Sequence, residues 1–307
     1  MKPIHYWRYT LRSAGNLNAV SARREHEGAL IRVGQGYGCL HPWPELGDLP
    51  IDGQLRLLRD GGRSPLIEGA LACAAHDAAC RGEARSIFSG AIPESHWLVR
   101  PGEDPERVVA EGFTLAKIKG SPDRKGMRDT MERWTRAGLR IRLDCNETLA
   151  PGAFLPFWEG LSEELRASVD LVEDPEEWTR EGWEALRCGG VRIAVDRDGE
   201  NRLQSGDVAV VKPARPGKTL SPQTRCYVTS YMDHAIGQVW AAASAAAMAT
   251  ERDGGSLLRC GLLTHRCFEK DAFFERLECD GPRLLPPGGT GLGFDDLLES
   301  LPWKPLI

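Results

Sequence analysis

The sequence predicts an α/β protein in which a small α+β domain precedes a closed barrel of parallel strands. Three observations predict it. From about residue 86, short apolar runs alternate with helix-like stretches over ~180 residues, the pattern of a parallel sheet with crossover helices. Five of those runs end in a charged residue, in the order Lys119, Asp144, Glu173, Asp196 and Lys212. The first 85 or so residues lack this alternation. About eight strands favour closure over an open doubly wound sheet, because a barrel gathers the five strand ends at one mouth and an open sheet strings them in a row.

In chain order, 5–11 and 29–33 read as strands of a small sheet, with 26–28 as a turn. The Gly- and Pro-rich segment 34–48 carries Tyr37, His41 and Trp43 and is expected to be irregular, either a connecting loop or a lid over a pocket. Helices follow over 51–59 and 65–81, the second rich enough in Ala for close packing. The run 114–120 is a strand whose alternation puts Lys117 and Lys119 on one face and Ile118 on the other. Ser121 and Pro122 are expected to open a helix that Gly138 closes, with Met127, Met131 and Trp134 on its buried stripe. Strands over 140–144, 169–173, 192–196 and 207–212 follow, with helices over 151–167 and 175–187 between them. The last units are a strand at 226–231, a small-residue helix at 237–250 and a strand at 256–264.

Composition excludes several classes. A chain of 307 residues has room for a large core and about two domains. A net charge of −5 with scattered arginines opposes a nucleic-acid partner, whose footprint is a basic excess. No apolar run has the length of a membrane span and the first residues lack a signal-peptide core, so no membrane association and a cytoplasmic location are expected. Nine cysteines without a C-x-x-C pair read as reduced, buried thiols, Cys145 among them.

Three carboxylates flanked by lysines suit a hard divalent cation, Mg²⁺ first and Mn²⁺ second, which keeps open positions for substrate oxygens. A substrate carboxylate on that ion has its α-proton acidified, because the enediolate formed by deprotonation sets negative charge beside the cation. A lysine near two cations can serve as the base. Together these define proton abstraction α to a carboxylate on a small-molecule substrate. Each acid alone could equally cap a following helix.

Lys117-x-Lys119, Asp144-x-Asn146, Val172-Glu-Asp-Pro175, Asp196 and Val211-Lys-Pro213 resemble the signature of the enolase superfamily, in its muconate-lactonising branch. A Lys or His base beside Mg²⁺ is the general arrangement of that superfamily. Within the branch, the short chain, the segment 142–146 and the strand end 228–234 are most similar to the o-succinylbenzoate synthase family. The resemblance covers nearly the whole chain. It implies a modified TIM-type (β/α)7β barrel over 86–284, an N-terminal α+β capping domain over 1–85, and a segment 285–307 that returns to the cap. It further implies Asp144, Glu173 and Asp196 as Mg²⁺ ligands, Lys119 as acid/base, Lys212 as the opposed charge that stabilises the enediolate, and Lys117 as support for Lys119. The implied reaction is syn dehydration of 2-succinyl-6-hydroxy-2,4-cyclohexadiene-1-carboxylate to o-succinylbenzoate, a carbon–oxygen lyase step of menaquinone synthesis. Two departures stand out: Arg197 occupies a position where relatives usually have Glu, and the interval from Asp196 to Lys212 is too short for a full helix.

Alternatives remain for several residues. Asn146 supports the metal site or forms a turn. Arg142 contacts a substrate carboxylate, or fills the barrel by pairing with Asp170. Thr229 and Ser230 offer backbone N–H groups to a carboxylate, or cap a helix. Tyr37, His41, Trp43 and His234 shape specificity, or pack. An N-acylamino acid racemase or dipeptide epimerase would use the same metal with Lys119 and Lys212 as two bases, and the 34–48 segment lacks the acidic pair that would hold a dipeptide ammonium. A silent binding barrel would have no use for both lysines.

Overall fold

The computed structural model describes residues 3–306 except 14, 16, 18–22, 218 and 253–254. Strands β1 (Ile4–Arg12), β2 (Glu25–Val33) and β3 (Gly36–Leu40) form an antiparallel meander. Helices α1 (Ile51–Arg59) and α2 (Pro65–Gly82) follow. Residues 26–28 therefore belong to β2 rather than to a turn, and a third of the expected irregular segment is a buried strand. The glycines have a packing reason: a Cβ on Gly36 or Gly38 would lie 1.9 Å or 2.1 Å from the carbonyls of Ala74 and Ala70 on α2. Close approach of helix to strand thus needs glycine on one side and alanine on the other.

The second unit runs β4 (Trp97–Leu98), α3 (Pro105–Ala110), β5 (Leu115–Lys119), α4 (Arg124–Arg136), β6 (Arg140–Asp144), α5 (Phe154–Glu159), α6 (Glu163–Ser168) and β7 (Val169–Glu173). It continues with α7 (Arg180–Cys188), β8 (Ile193–Val195), α8 (Gly199–Arg202), β9 (Val208–Val211), β10 (Cys226–Val228) and α9 (Ala235–Glu251). The seven strands form one parallel sheet in sequential order. Its open edges meet through the segment 257–261. On one side Leu258 N donates to Cys226 O and Gly261 N to Val228 O, at 2.8 and 2.9 Å; on the other, Cys260 N donates to Glu94 O and His96 N to Cys260 O, both at 2.8 Å. This segment is the eighth position of the ring, so the fold is a (β/α)7β barrel preceded by the antiparallel cap.

Local differences from expectation have local causes. Helix α4 starts at Arg124 because Asp123, not Ser121, caps it, accepting from Gly126 N at 3.0 Å. The helix expected over 151–167 is two, since Gly160 ends α5 and Ser162 caps α6 by accepting from Leu165 N. Helix α7 begins at Arg180, where Thr179 accepts from Gly182 N. The short interval before Lys212 holds the single turn α8, as its length requires. Met127, Met131 and Trp134 are all buried.

A hairpin, β11 (Cys279–Asp280) with β12 (Arg283–Leu284), leads to α10 (Asp295–Ser300) and β13 (Lys304–Pro305), which pairs with β1. The Gly-rich segment before α10 is fastened to α2: Leu292 N donates to Asp77 Oδ1 at 2.7 Å, and Arg81 donates to Gly293 O at 3.0 Å. No helix among the described residues is long and apolar enough to cross a membrane.

Candidate active site

Parallel register sets the charged residues side by side. Lys119 of β5 faces Asp144 of β6, and Asp144 faces Glu173 of β7. Asp196 and Lys212 follow directly after β8 and β9. In the ring of eight, β5 and β9 are four places apart in either direction, so Lys119 and Lys212 stand across the mouth from each other. Asp144, Glu173 and Asp196 occupy the three strand ends between them.

The contacts knit this row together. Lys119 Nζ donates to Asp144 Oδ2 at 2.5 Å. Lys117 Nζ, almost fully buried, bridges Asp144 Oδ2 at 2.8 Å and Glu173 Oε2 at 2.6 Å. Asn146, in the left-handed region at φ 50°, donates to Asp144 Oδ1, and Tyr227 donates its hydroxyl to Glu173. Lys212 pairs with Asp196. Burial alone pulls the Lys117 ammonium down, but Asp144 and Glu173 outweigh it and hold the group well above the ordinary lysine value. Burial likewise disfavours the Asp144 carboxylate, and the charges of Lys117 and Lys119 overcome it, leaving the group below the usual carboxylate range.

Among the described residues no three acidic, His or Cys side chains stand at metal-ligand spacing, and each of Asp144, Glu173 and Asp196 is paired with a lysine. The donor set still has the chemistry of a hard-cation site. Asp144 and Glu173 share one cationic atom, the Lys117 Nζ, within 2.8 Å. Next to them Asp174, whose Oδ1 accepts from Asp196 N at 3.1 Å, is pushed well above the carboxylate range by burial and by the charges of Asp196, Glu173 and Asp144. Four carboxylates, Asp144, Glu173, Asp174 and Asp196, thus crowd neighbouring strand ends, oxygen donors of the kind a hard cation takes.

A family model for the N-terminal domain of o-succinylbenzoate synthase matches residues 4–80. The o-succinylbenzoate synthase of Bdellovibrio bacteriovorus is 34% identical over 330 aligned residues, covering 100% of this chain and 99% of that one. The chain belongs to the o-succinylbenzoate synthase family. Its fold is that of the enolase superfamily. A dipeptide epimerase from Cytophaga hutchinsonii, solved with Mg and the dipeptide D-Ala-L-Val, superposes with a TM-score of 0.75 at 15% identity, covering 100% of both chains. An enolase-superfamily member from Roseovarius nubinhibens, solved with magnesium, gives 0.73 at 15% identity, covering 100% of this chain and 98% of that one.

In this o-succinylbenzoate synthase family member, a small cleft of about 50 Å³ opens beside Lys117 and Lys119, lined also by His96, Arg100, Thr229 and Arg266. Arg142 does not reach it as a free cation. Its guanidinium donates to Asp170 at 2.8 Å and to Arg259 O at 2.7 Å and lies 4.3 Å over the Tyr227 ring, so it fills the barrel interior. Thr229 lines the cleft, but its N–H donates to Val211 O, and the Ser230 N–H donates to Gly261 O. Pairing with β9 uses the first of these donors and barrel closure the second, so neither is free for the carboxylate that was one of their two readings.

The aromatic residues of 34–48 are packed rather than poised as a lid. Tyr37 is wedged between Arg81 and Trp303, and His41 is buried with Nδ1 3.0 Å from the Tyr9 hydroxyl. Trp43 donates its indole N–H to Tyr231 O at 2.8 Å, tying cap to barrel. His234 is buried among Tyr9 and Phe273. Arg197 lies 3.7 Å from Glu147 and 4.0 Å from Asp174. Sequence reasoning missed Tyr227 and His96. Tyr227 was findable, because alternation in its strand turns it away from the neighbours that pack outward; His96 carried no signal in its neighbourhood.

Proposed function

We propose that this chain catalyses the syn dehydration of 2-succinyl-6-hydroxy-2,4-cyclohexadiene-1-carboxylate to o-succinylbenzoate, a step of menaquinone biosynthesis, in the cytoplasm. The observation that carries the reading is the placement of Lys119 and Lys212 across the mouth from each other with Asp144, Glu173 and Asp196 between them. The full-length relationship to a synthase of that name supports the substrate, and the Mg in solved neighbours of the same fold supports the metal.

Asp144, Glu173 and Asp196 are the residues that would hold Mg²⁺, or Mn²⁺, with Asn146 orienting Asp144. When bound, the ion neutralises these acids and acidifies the proton α to a substrate carboxylate that it shares. Lys119, as the free amine, takes that proton. The resulting ammonium then returns a proton to the departing hydroxyl on the same face, so water leaves and the ring becomes aromatic. Lys212 keeps its positive charge on the opposite face, against the negative charge that develops on the carboxylate. Lys117 keeps Asp144 and Glu173 from repelling each other. The working division is a cap over 1–85, a barrel over 86–284 and a returning segment over 285–307.

The test is loss of the cyclohexadiene ultraviolet absorbance when enzyme and Mg²⁺ meet this substrate. Lys119→Ala is expected to lower the rate by about 10²–10⁴-fold, the usual share of general acid–base catalysis. The opposed lysines also suit a racemase or epimerase, with one base on each face. Rapid α-proton exchange of an N-succinylamino acid in D₂O, without turnover of the cyclohexadiene, would establish that second reading and exclude the first.

A further inference from the structure

We infer that His96 recognises the substrate, donating its Nε2–H to the carbonyl oxygen of the substrate's acyl side chain; this rests on the synthase reading above. His96 precedes β4 on the wall of the cleft and is 6% exposed. Three neighbours pin its ring. Its backbone N–H donates to Cys260 O at 2.8 Å, its ring meets the Tyr227 ring nearly perpendicularly at 6.2 Å, and Arg142 Nη1 lies 3.3 Å from its Nδ1. Gly261 gives the ring its space, since a Cβ there would lie 2.9 Å from His96 Cε1.

Arg142 decides the tautomer. A guanidinium has donors and no acceptor, so Nδ1 must accept from it. The ring proton therefore sits on Nε2. Burial, then the charges of Arg142 and Lys117, hold the imidazole well below its ordinary value, which keeps the ring neutral. Arg142 cannot swing away, because Asp170 and the Arg259 carbonyl hold its other donors. No described group accepts from Nε2, which lies beside Gly261, another residue of the cleft wall.

The neighbouring donors have protein partners of their own. Thr229 Oγ1 donates to carbonyls at 3.1 and 3.2 Å, Arg100 is engaged by Glu103 and the Arg266 carbonyl, and Arg266 pairs with Glu111. A neutral, fixed N–H in such a wall suits an uncharged carbonyl, leaving the reacting carboxylate to the cationic end of the cleft.

The experiment compares wild type, His96→Gln and His96→Leu. Gln can accept from Arg142 and still donate into the cleft; Leu can do neither. ¹⁵N-histidine NMR of the wild type is expected to show His96 neutral and protonated at Nε2, with that resonance shifting when o-succinylbenzoate binds. His96→Leu should bind o-succinylbenzoate about tenfold more weakly and raise KM similarly with kcat largely kept, while His96→Gln stays near wild type. The pH profile of kcat should be unmoved in both variants, as a proton-transfer role would not allow. A product analogue with methylene in place of the side-chain ketone should bind wild type about tenfold more weakly than the product, and His96→Leu no differently from the product. An Nδ1-protonated ring, or equal losses for both ligands in His96→Leu, overturns the assignment while synthase activity stands. A wild-type protein inactive on the cyclohexadiene overturns the synthase reading and this assignment together.

Discussion

Tyr231 donates its hydroxyl to Asp48 at 3.0 Å, joining the barrel strand end to the cap. The same carboxylate accepts from Trp43 N at 2.9 Å and lies 3.5 Å from Arg215, which itself donates to the Tyr231 hydroxyl at 3.0 Å. The Lys212 ammonium stands 5.6 Å over the Tyr231 ring. Asp48 therefore ties the cap to the side chain against which Lys212 rests. Asp48→Ala strands a guanidinium and two other donors, and is expected to cost about 2 kcal/mol; Tyr231→Phe should cost about 1 kcal/mol. Denaturant unfolding of both singles and the double variant checks this. The double should lose less than the two losses added, because the residues share one network.

Removal of divalent metal by a chelator should abolish turnover, and Mg²⁺ should restore it. Binding to the folded state alone also raises stability, by about 2.7 kcal/mol at a hundredfold excess over Kd. Thermal unfolding with and without Mg²⁺ reads this without substrate. Asp144→Asn, Glu173→Gln and Asp196→Asn should each suppress the Mg²⁺-dependent rise.

Arg142→Ala should destabilise by about 3 kcal/mol, the order expected when one partner of a buried ion pair is removed. Arg140, 3.0 Å from Asp170, keeps the loss from being larger. Arg142→Lys should recover little, since an ammonium cannot reach Asp170 and the Arg259 carbonyl together while stacking on Tyr227. Urea unfolding midpoints measure each.

Stability should fall as pH drops from 7 to 5. Burial, then the charge of Arg23, pushes His26 down to about 4; burial pushes His265 down to about 4, helped by Arg266 and Lys270, and His234 down to about 3. Between those values and the ordinary 6.5 the unfolded chain binds more protons, so acid favours unfolding. Asp233, pushed up to about 7 by burial, acts in the opposite sense, because below 7 the folded state holds the extra proton. His41 and His96, held well below the ordinary value by burial, add to the fall, while Asp77, Asp174 and Asp271, raised by burial, oppose it with Asp233; five histidines against four carboxyls set the sign. Asp233→Asn should steepen the fall, and a midpoint that rises toward pH 5 would show the carboxyls prevailing.

Much of the site was legible before any coordinates. Alternation placed Lys117 and Lys119 on one face, and chain order gave Lys119, Asp144, Glu173, Asp196 and Lys212 their order around the ring, because sequential parallel strands become neighbours. Strand β3 was illegible for a reason that lies in another element: Gly36 and Gly38 look like breakers until the Ala70 and Ala74 carbonyls of α2 stand against them. The 34–48 segment read as a connecting loop or a lid for the same reason, since burial of His41 and Trp43 depends on surfaces distant in the chain.

Local spacing by itself determined the barrel class, the five charged strand ends and the chemistry they favour. Those follow from the two-residue period of a strand and the right-handed crossover, which act within a few dozen residues. Only the tertiary structure decided that 257–261 closes the ring, that Arg142 answers to Asp170, and that His96 Nδ1 meets Arg142 on the cleft wall. Each of these is a contact between segments far apart in the chain, and side-chain direction there is set by packing partners that no local pattern encodes.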